Sequence, residues 1–145
     1  MDFFDAIQAS SSGLSAQRLR MNLISGNLAN VNTTRTREGG PYRRKEAIFA
    51  ARPVAESFKK MLADRQRKQL SMVAVDRIIE DSNPPVMKYD PQHPDADEKG
   101  YVAMPNINVM EEMVNMISAT RSYEANVAAL KAAKEMASRA LEIGK

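Results

Sequence analysis

Apolar side chains repeat at a seven-residue step at both ends of this 145-residue chain, and no proline interrupts either run. From Asp2 to Val31 the repeat is Ile7, Leu14, Met21 and Leu28, with Phe3, Phe4, Ile24 and Val31 widening it. After Pro105 the steps alternate between four and three through Val109, Met113, Met116, Thr120, Tyr123, Val127, Leu130, Lys134, Ala137 and Leu141. A repeat of this kind keeps one seam on one side of a helix, in the manner of a coiled coil. Two long helices are predicted, of about 30 and about 37 residues, or roughly 45 and 55 Å at the usual rise. Rods of that length exceed what a single small globule encloses.

Local chemistry agrees with the ends of both helices. Asn30 to Thr34 followed by Gly39-Gly40-Pro41 is turn-forming and predicts the end of the first. Asn106 and Asn108 are plausible caps for the second, with Glu111 and Glu112 in a first turn that favours anions and Gly144 as a stop. Ser10, Ser11, Ser12 and Gly13 thin the first seam, and serve either a close helix approach or a weak start to the helix.

The middle has a different texture. Tyr42 to Ala51 and Leu70 to Ile79 read as strands, and Glu56 to Lys68 as a short amphipathic helix with Phe58, Met61, Leu62 and Arg65 in register. Asp81 to Gly100 carries Pro84, Pro85, Pro91 and Pro94, which predicts a loop with no regular element. The expected fold class is mainly α with a small β-rich insert: a terminal helical unit from residues 1–32 and 106–145, and an insert from 33–105.

Charge and composition remove most kinds of chemistry. Residues 1–32 and 106–145 are each balanced, so the net charge of +3 arises wholly in the insert, where 14 basic groups are interleaved with 11 acidic ones. Arg43 to Lys45 and Arg65 to Lys68 are short clusters, not the concentrated stripe of a nucleic-acid reader, and no nucleic-acid partner is expected. Without cysteine there are no disulfides, thiolate metal sites or cysteine nucleophiles. No apolar run approaches a membrane span, and Met1 to Ser25 lacks a basic start followed by an unbroken apolar stretch. Any passage out of the cytoplasm is therefore expected to use a route that cleaves no signal peptide.

The one histidine, His93, lies among Asp90, Asp95 and Asp97, all competent metal ligands. The spacing matches no calcium loop, and the same residues are turn formers. Ser10 to Ser12 lie in a helix pattern without a nucleophile elbow, and Gly39-Gly40 precedes Pro41 where a phosphate loop needs Lys followed by Ser or Thr. Neither an enzyme nor a cofactor is expected.

What remains is packing. Met110, Val114 and Ile117 in the second helix, and Leu19 and Leu23 in the first, lie off the main seams. A helix apolar on more than one side has more than one partner. Met104, Met110, Met113 and Met116 fall together, as core filling or as an adaptable contact surface. The terminal helices are thus expected to be stable only when packed against other subunits.

Ile24-Ser25-Gly26-Asn27-Leu28-Ala29-Asn30-Val31-Asn32-Thr33 closely resembles the N-terminal signature of flagellar rod, hook and related axial proteins. The stretch from Asn108 to Val127 resembles their matching C-terminal helix. Tyr89-Asp90-Pro91-Gln92-His93-Pro94-Asp95-Ala96-Asp97, Gly100-Tyr101-Val102 and Gly39 to Lys45 are similar to the short proximal-rod member of that family. The likeness covers most of residues 1–52 and 84–145, and nothing between Arg52 and Asn83 was matched.

The resemblance implies a structural subunit of the bacterial flagellar basal body, passed unfolded through the type III export apparatus and built helically into the periplasmic rod. Partners would be copies of itself and other rod proteins, and the terminal helices would pair antiparallel as the inner layer. Under that reading Ser25, Asn27, Leu28, Ala29, Asn30, Asn32 and Thr33 carry the family motif. Ile7, Leu14, Met21, Ile24, Leu28, Val109, Met113, Met116, Tyr123, Val127, Leu130 and Leu141 pack subunits together. Tyr89, Asp90, Pro91, His93, Pro94, Asp97, Gly100 and Tyr101 form a loop that contacts a neighbour. A soluble helical adaptor or export chaperone gripping an amphipathic segment is the alternative. Hydrogen exchange on the dilute chain separates them: fast exchange in both terminal helices is expected of a rod subunit, and slow exchange throughout of a self-sufficient adaptor.

Overall fold

The computed structural model describes residues 3–53 and 71–143. Both repeats are helices: α1 spans Phe3–Ala29 and α2 spans Val109–Ile143. The stop expected at Gly144 and the helix expected over Glu56 to Lys68 lie outside the described residues. α1 and α2 run antiparallel, because Asn27 meets Glu112, Met21 meets Thr120 and Gly13 meets Asn126 in descending order. At Gly13 the close approach is realised. A Cβ there would stand 3.1 Å from Asn126 Nδ2, so glycine lets that side chain press against the α1 backbone.

The contact line keeps steps of four and three but is turned by about one residue from the apolar stripe. On α2, Glu112, Ala119 and Ala133 are buried, with Met116, Tyr123, Asn126, Leu130 and Ala137 half-buried beside them. Val109, Thr120 and Val127 are half-buried too, whereas Met113, Lys134 and Leu141 are exposed. On α1 the buried residues are Ala16, Ile24 and Asn27, while Ile7, Leu14, Met21 and Leu28 are half-buried. Helices approach closest where side chains are smallest, so alanines and Gly13 take the contact line and bulkier residues flank it. Leu141 has a separate cause. The same pairing sets Phe3 roughly level with Met136, so the last two turns of α2 outrun α1.

The insert supplies two antiparallel ribbons. β1 (Lys45–Pro53) pairs with β2 (Ser71–Glu80), Lys45 opposite Glu80 and Pro53 opposite Ser71. The register shift between Ile48 and Phe49 makes Asp76 an extra residue in β2, a bulge. This ribbon lies along α1, fastened at Lys45 by Asn27 and at Val73, whose N–H donates to Ser12 Oγ at 3.2 Å.

The second ribbon corrects the expectation of no regular element between Asp81 and Gly100. Val86–Tyr89 forms β3 and pairs antiparallel with β4 (Tyr101–Met104). Pro84 and Pro85 fall just before β3, and Pro91 and Pro94 fall in its connection to β4, so none removes a donor from the ladder. The partner strand is a dozen residues away, which is why proline density along the chain misled. Gly100 closes this turn with φ +79°, and an added Cβ would lie 3.0 Å from Tyr89 Cε2 and 3.1 Å from Pro91 Cβ. Gly100→Ala is expected to cost about 2–4 kcal/mol through backbone strain and overpacking. Urea unfolding followed by tyrosine near-ultraviolet circular dichroism measures it.

Candidate functional site

The residues of the N-terminal motif do not share one role; the end of α1 divides them. Asn27 is 1% exposed, and its carboxamide is fully used. Nδ2 donates to Lys45 O at 3.0 Å and to Glu112 Oε2 at 2.9 Å, while Oδ1 accepts from Lys45 N at 2.9 Å and Tyr42 Oη at 3.1 Å. Two donors and two acceptors are thereby satisfied, as a buried amide requires. One side chain pairs with the backbone of β1 as another strand would, and also grips α2.

Asn30 and Thr33 turn the chain out of the helix. Asn30 Nδ2 donates to Gly26 O at 2.8 Å, satisfying a terminal carbonyl, and Thr33 Oγ1 donates to Asn30 Oδ1 at 3.1 Å. Tyr42 N then donates to Thr33 O at 3.0 Å, closing the loop that delivers β1 to Asn27. Leu28 is half-buried; Ser25, Ala29 and Asn32 are exposed.

Glu112 completes the node. Its side chain is 1% exposed, and Oε1 accepts from Arg44 Nε at 2.7 Å. Arg44 also donates through Nη1 to Glu46 Oε2 at 2.8 Å. Burial works against the Arg44 charge, but the hydrogen bonds to Glu112 and Glu46 outweigh it and hold the guanidinium above its ordinary value. Burial pushes the Tyr42 phenol up, Lys45 opposes this, and Glu80 and Glu112 add to it. Sequence reasoning missed this network. In the sequence Glu112 has the place of a dipole partner and Arg44 that of one member of a short basic cluster; the available signal is a carboxylate on the helix side that also bears Met116 and Ala119.

The loop residues come together around the turn between β3 and β4. Tyr89 and Tyr101 stack edge to face with centroids 5.3 Å apart. Asp97 Oδ1 accepts from Lys99 N at 3.0 Å and Tyr101 N at 2.7 Å, and Asp90 N donates to Gly100 O at 2.9 Å. His93 Nδ1 accepts from Asp95 N at 3.1 Å. Pro91 and Pro94 are exposed on the same turn. No group of three or more metal-ligating side chains occurs among the described residues. No helix among them is long and apolar enough to cross a membrane.

One further surface is apolar. Met110, Met113, Val114 and Ile117 are 69, 48, 63 and 55% exposed, at the helical spacing that puts them on the side of α2 away from α1. Leu19 and Leu23 of α1 are half-buried.

Two family models match this architecture: "Flagella basal body rod protein" over residues 7–35, and "Flagellar basal body rod FlgEFG protein C-terminal" over residues 98–143. Among curated relatives, the flagellar basal-body rod protein FlgC of Borreliella burgdorferi is 47% identical over 99% of this chain and 98% of its own length. The FlgC of Bacillus subtilis is 43% identical over the whole of both chains. The chain belongs to the FlgC family of flagellar basal-body rod proteins. An Escherichia coli FlgC, 38% identical over 99% of each chain, extends the likeness to a more distant relative. These matches run through nearly the whole length, so the likeness to FlgC does not stop at Arg52. Membership makes the chain a structural component of the basal-body rod and not an enzyme.

The half-buried phenol of Tyr42 sets a pH dependence. A Tyr42 pKa raised on folding contributes stability that is fully present below the ordinary value of about 10 and is lost as pH rises through the higher folded value. Phenolate absorbance should therefore show a phase from Tyr42 above the ordinary phenol range, with the node loosening as it ionises. Tyr42→Phe should remove that late phase.

Proposed function

We propose that α1 and α2 pair as an antiparallel coiled coil that forms the inner layer of the rod, with residues 33–105 outside it. Neighbouring subunits cover the second apolar side of α2, and helical repetition of the contact produces a stiff tube that transmits torque. Partners are copies of this chain and other rod proteins. The exposed Met110, Met113, Val114 and Ile117 carry this reading, because a contiguous apolar stripe on the side opposite α1 leaves burial half finished. The subunit-packing residues divide between the intramolecular contact line and surfaces such as Met113 and Leu141 that only another molecule covers. The turn from Tyr89 to Tyr101, rigid through its own hydrogen bonds, contacts an adjacent subunit.

Passage through the flagellar type III export apparatus in an unfolded state, and assembly across the periplasm, fit a chain without disulfides. Closure of the node also needs residues 27 and 112 together, so the fold completes only after most of the chain has emerged. The adaptor or chaperone alternative has no comparable support once the chain is placed in the FlgC family.

Ile117→Asp puts a charge in the middle of the exposed stripe without touching the α1 contact. The expected result is normal export but about tenfold less of the chain in purified basal bodies, with motility lost. Full incorporation and normal swimming would overturn the reading.

A further inference from the structure

Two turns of opposite charge sit side by side, and part of the charge of each is unspent. Residues 35–45 hold five basic side chains against one acidic, while residues 90–98 hold four acidic side chains and no Lys or Arg. Thr34 Oγ1 donates to Asp95 Oδ2 at 2.8 Å and joins them, and the nearest ion pair between them, Arg35 with Asp95, is a loose 4.0 Å. Lys45 is taken by Glu80 at 3.2 Å, and Arg44 by Glu112 and Glu46. Arg37 and Arg43 have no ion-pair partner among the described residues, and neither have Asp90 and Glu98. Arg37 and Arg43 instead line an open cleft of about 380 Å³, where Glu38 and the paired Lys45 and Glu80 also lie, so the two arginines leave it net basic.

Both turns are already shaped for contact. Thr36 N donates to Gly40 O at 2.9 Å and Gly39 N to Thr36 O at 3.2 Å, so the basic turn is internally closed, as the acidic turn is. Little ordering cost remains for docking either one. An acid and a base fixed next to each other on one chain cannot both turn inward, yet they match when a copy is displaced sideways. Such a contact is heterologous and repeats around a tube.

We infer that the cleft of Arg37 and Arg43 receives the turn bearing Asp90 and Glu98 of a second copy of this chain, packed laterally. The inference rests on the rod reading and names the neighbour that the loop meets. Complementary charge fixes which copy meets which and in what register, while the apolar side of α2 supplies burial.

Because the chain has no cysteine, Arg43→Cys with Glu98→Cys introduces the sole thiols. Basal bodies purified after mild oxidation should yield dimers and larger multimers of the chain on a non-reducing gel, absent from either single variant. Incorporated chain that stays monomeric, or that links to a protein of another size, overturns the inference. Charge exchange gives an answer even where the cysteine variant fails to assemble. Arg43→Glu alone should lower incorporation roughly tenfold and the double variant Arg43→Glu with Glu98→Arg should restore it; no restoration overturns the inference. Absence of the unmodified chain from basal bodies would strike down the rod reading as well.

Discussion

Both helices and the first strand of the insert meet at one buried carboxamide. Asn27 spends both donors and both acceptors on three elements at once: the first residue of β1, the phenol that precedes it and the carboxylate of α2. Because the node is buried, removing any one partner leaves the others desolvated and unmatched, which costs more than the bond itself was worth. An apolar contact would slide along either helix with little penalty. A saturated amide does not, so it pins α1 against α2 and one end of the ribbon against α1, while Ser12 and Val73 fasten the ribbon farther along.

With register set by polar groups, the apolar surface is free for other uses. The contact line between the helices is built of alanines, Gly13 and the node, while many of the large side chains of α2 face away from it. This division keeps the small side chains for the helix pair and leaves large ones at the surface. Small residues give a close, well-defined pair, and the bulky methionines and aliphatics have the adaptability that the proposed contact with neighbours needs. The charged turns beside the ribbons are the features on which the proposed choice of neighbour rests.

Much of the helical architecture was legible in the chain itself. The seven-residue step, the absence of proline, the turn formers from Asn30 and the cap at Asn108 are local, and α1 ends and α2 begins within a few residues of where those signals lie. The motif from Ser25 to Thr33 was equally visible, although its division into buried and exposed residues was not. Three features escaped. The contact line was displaced because periodicity marks where apolar residues recur, whereas close approach is decided by which side chains are small on both helices. The ribbon of β3 and β4 was hidden because composition reports proline density and not which backbone donors a partner strand will need. Glu112 and Arg44 read as surface charges because a buried ion pair has no sequence signature until the fold brings its members together.

The sequence by itself determined two long helices at the ends, a chain without thiol, span or catalytic constellation, and a motif that places it among axial proteins of the flagellum. Each of those depends on residues within a few turns of one another or on composition alone. Only the tertiary structure decided that residues 27, 44 and 112 form one node, that the basic and acidic turns stand beside each other, and which side of α2 is left uncovered. Those outcomes depend on pairings between residues tens of positions apart, and a pattern along the chain carries no distance between its ends.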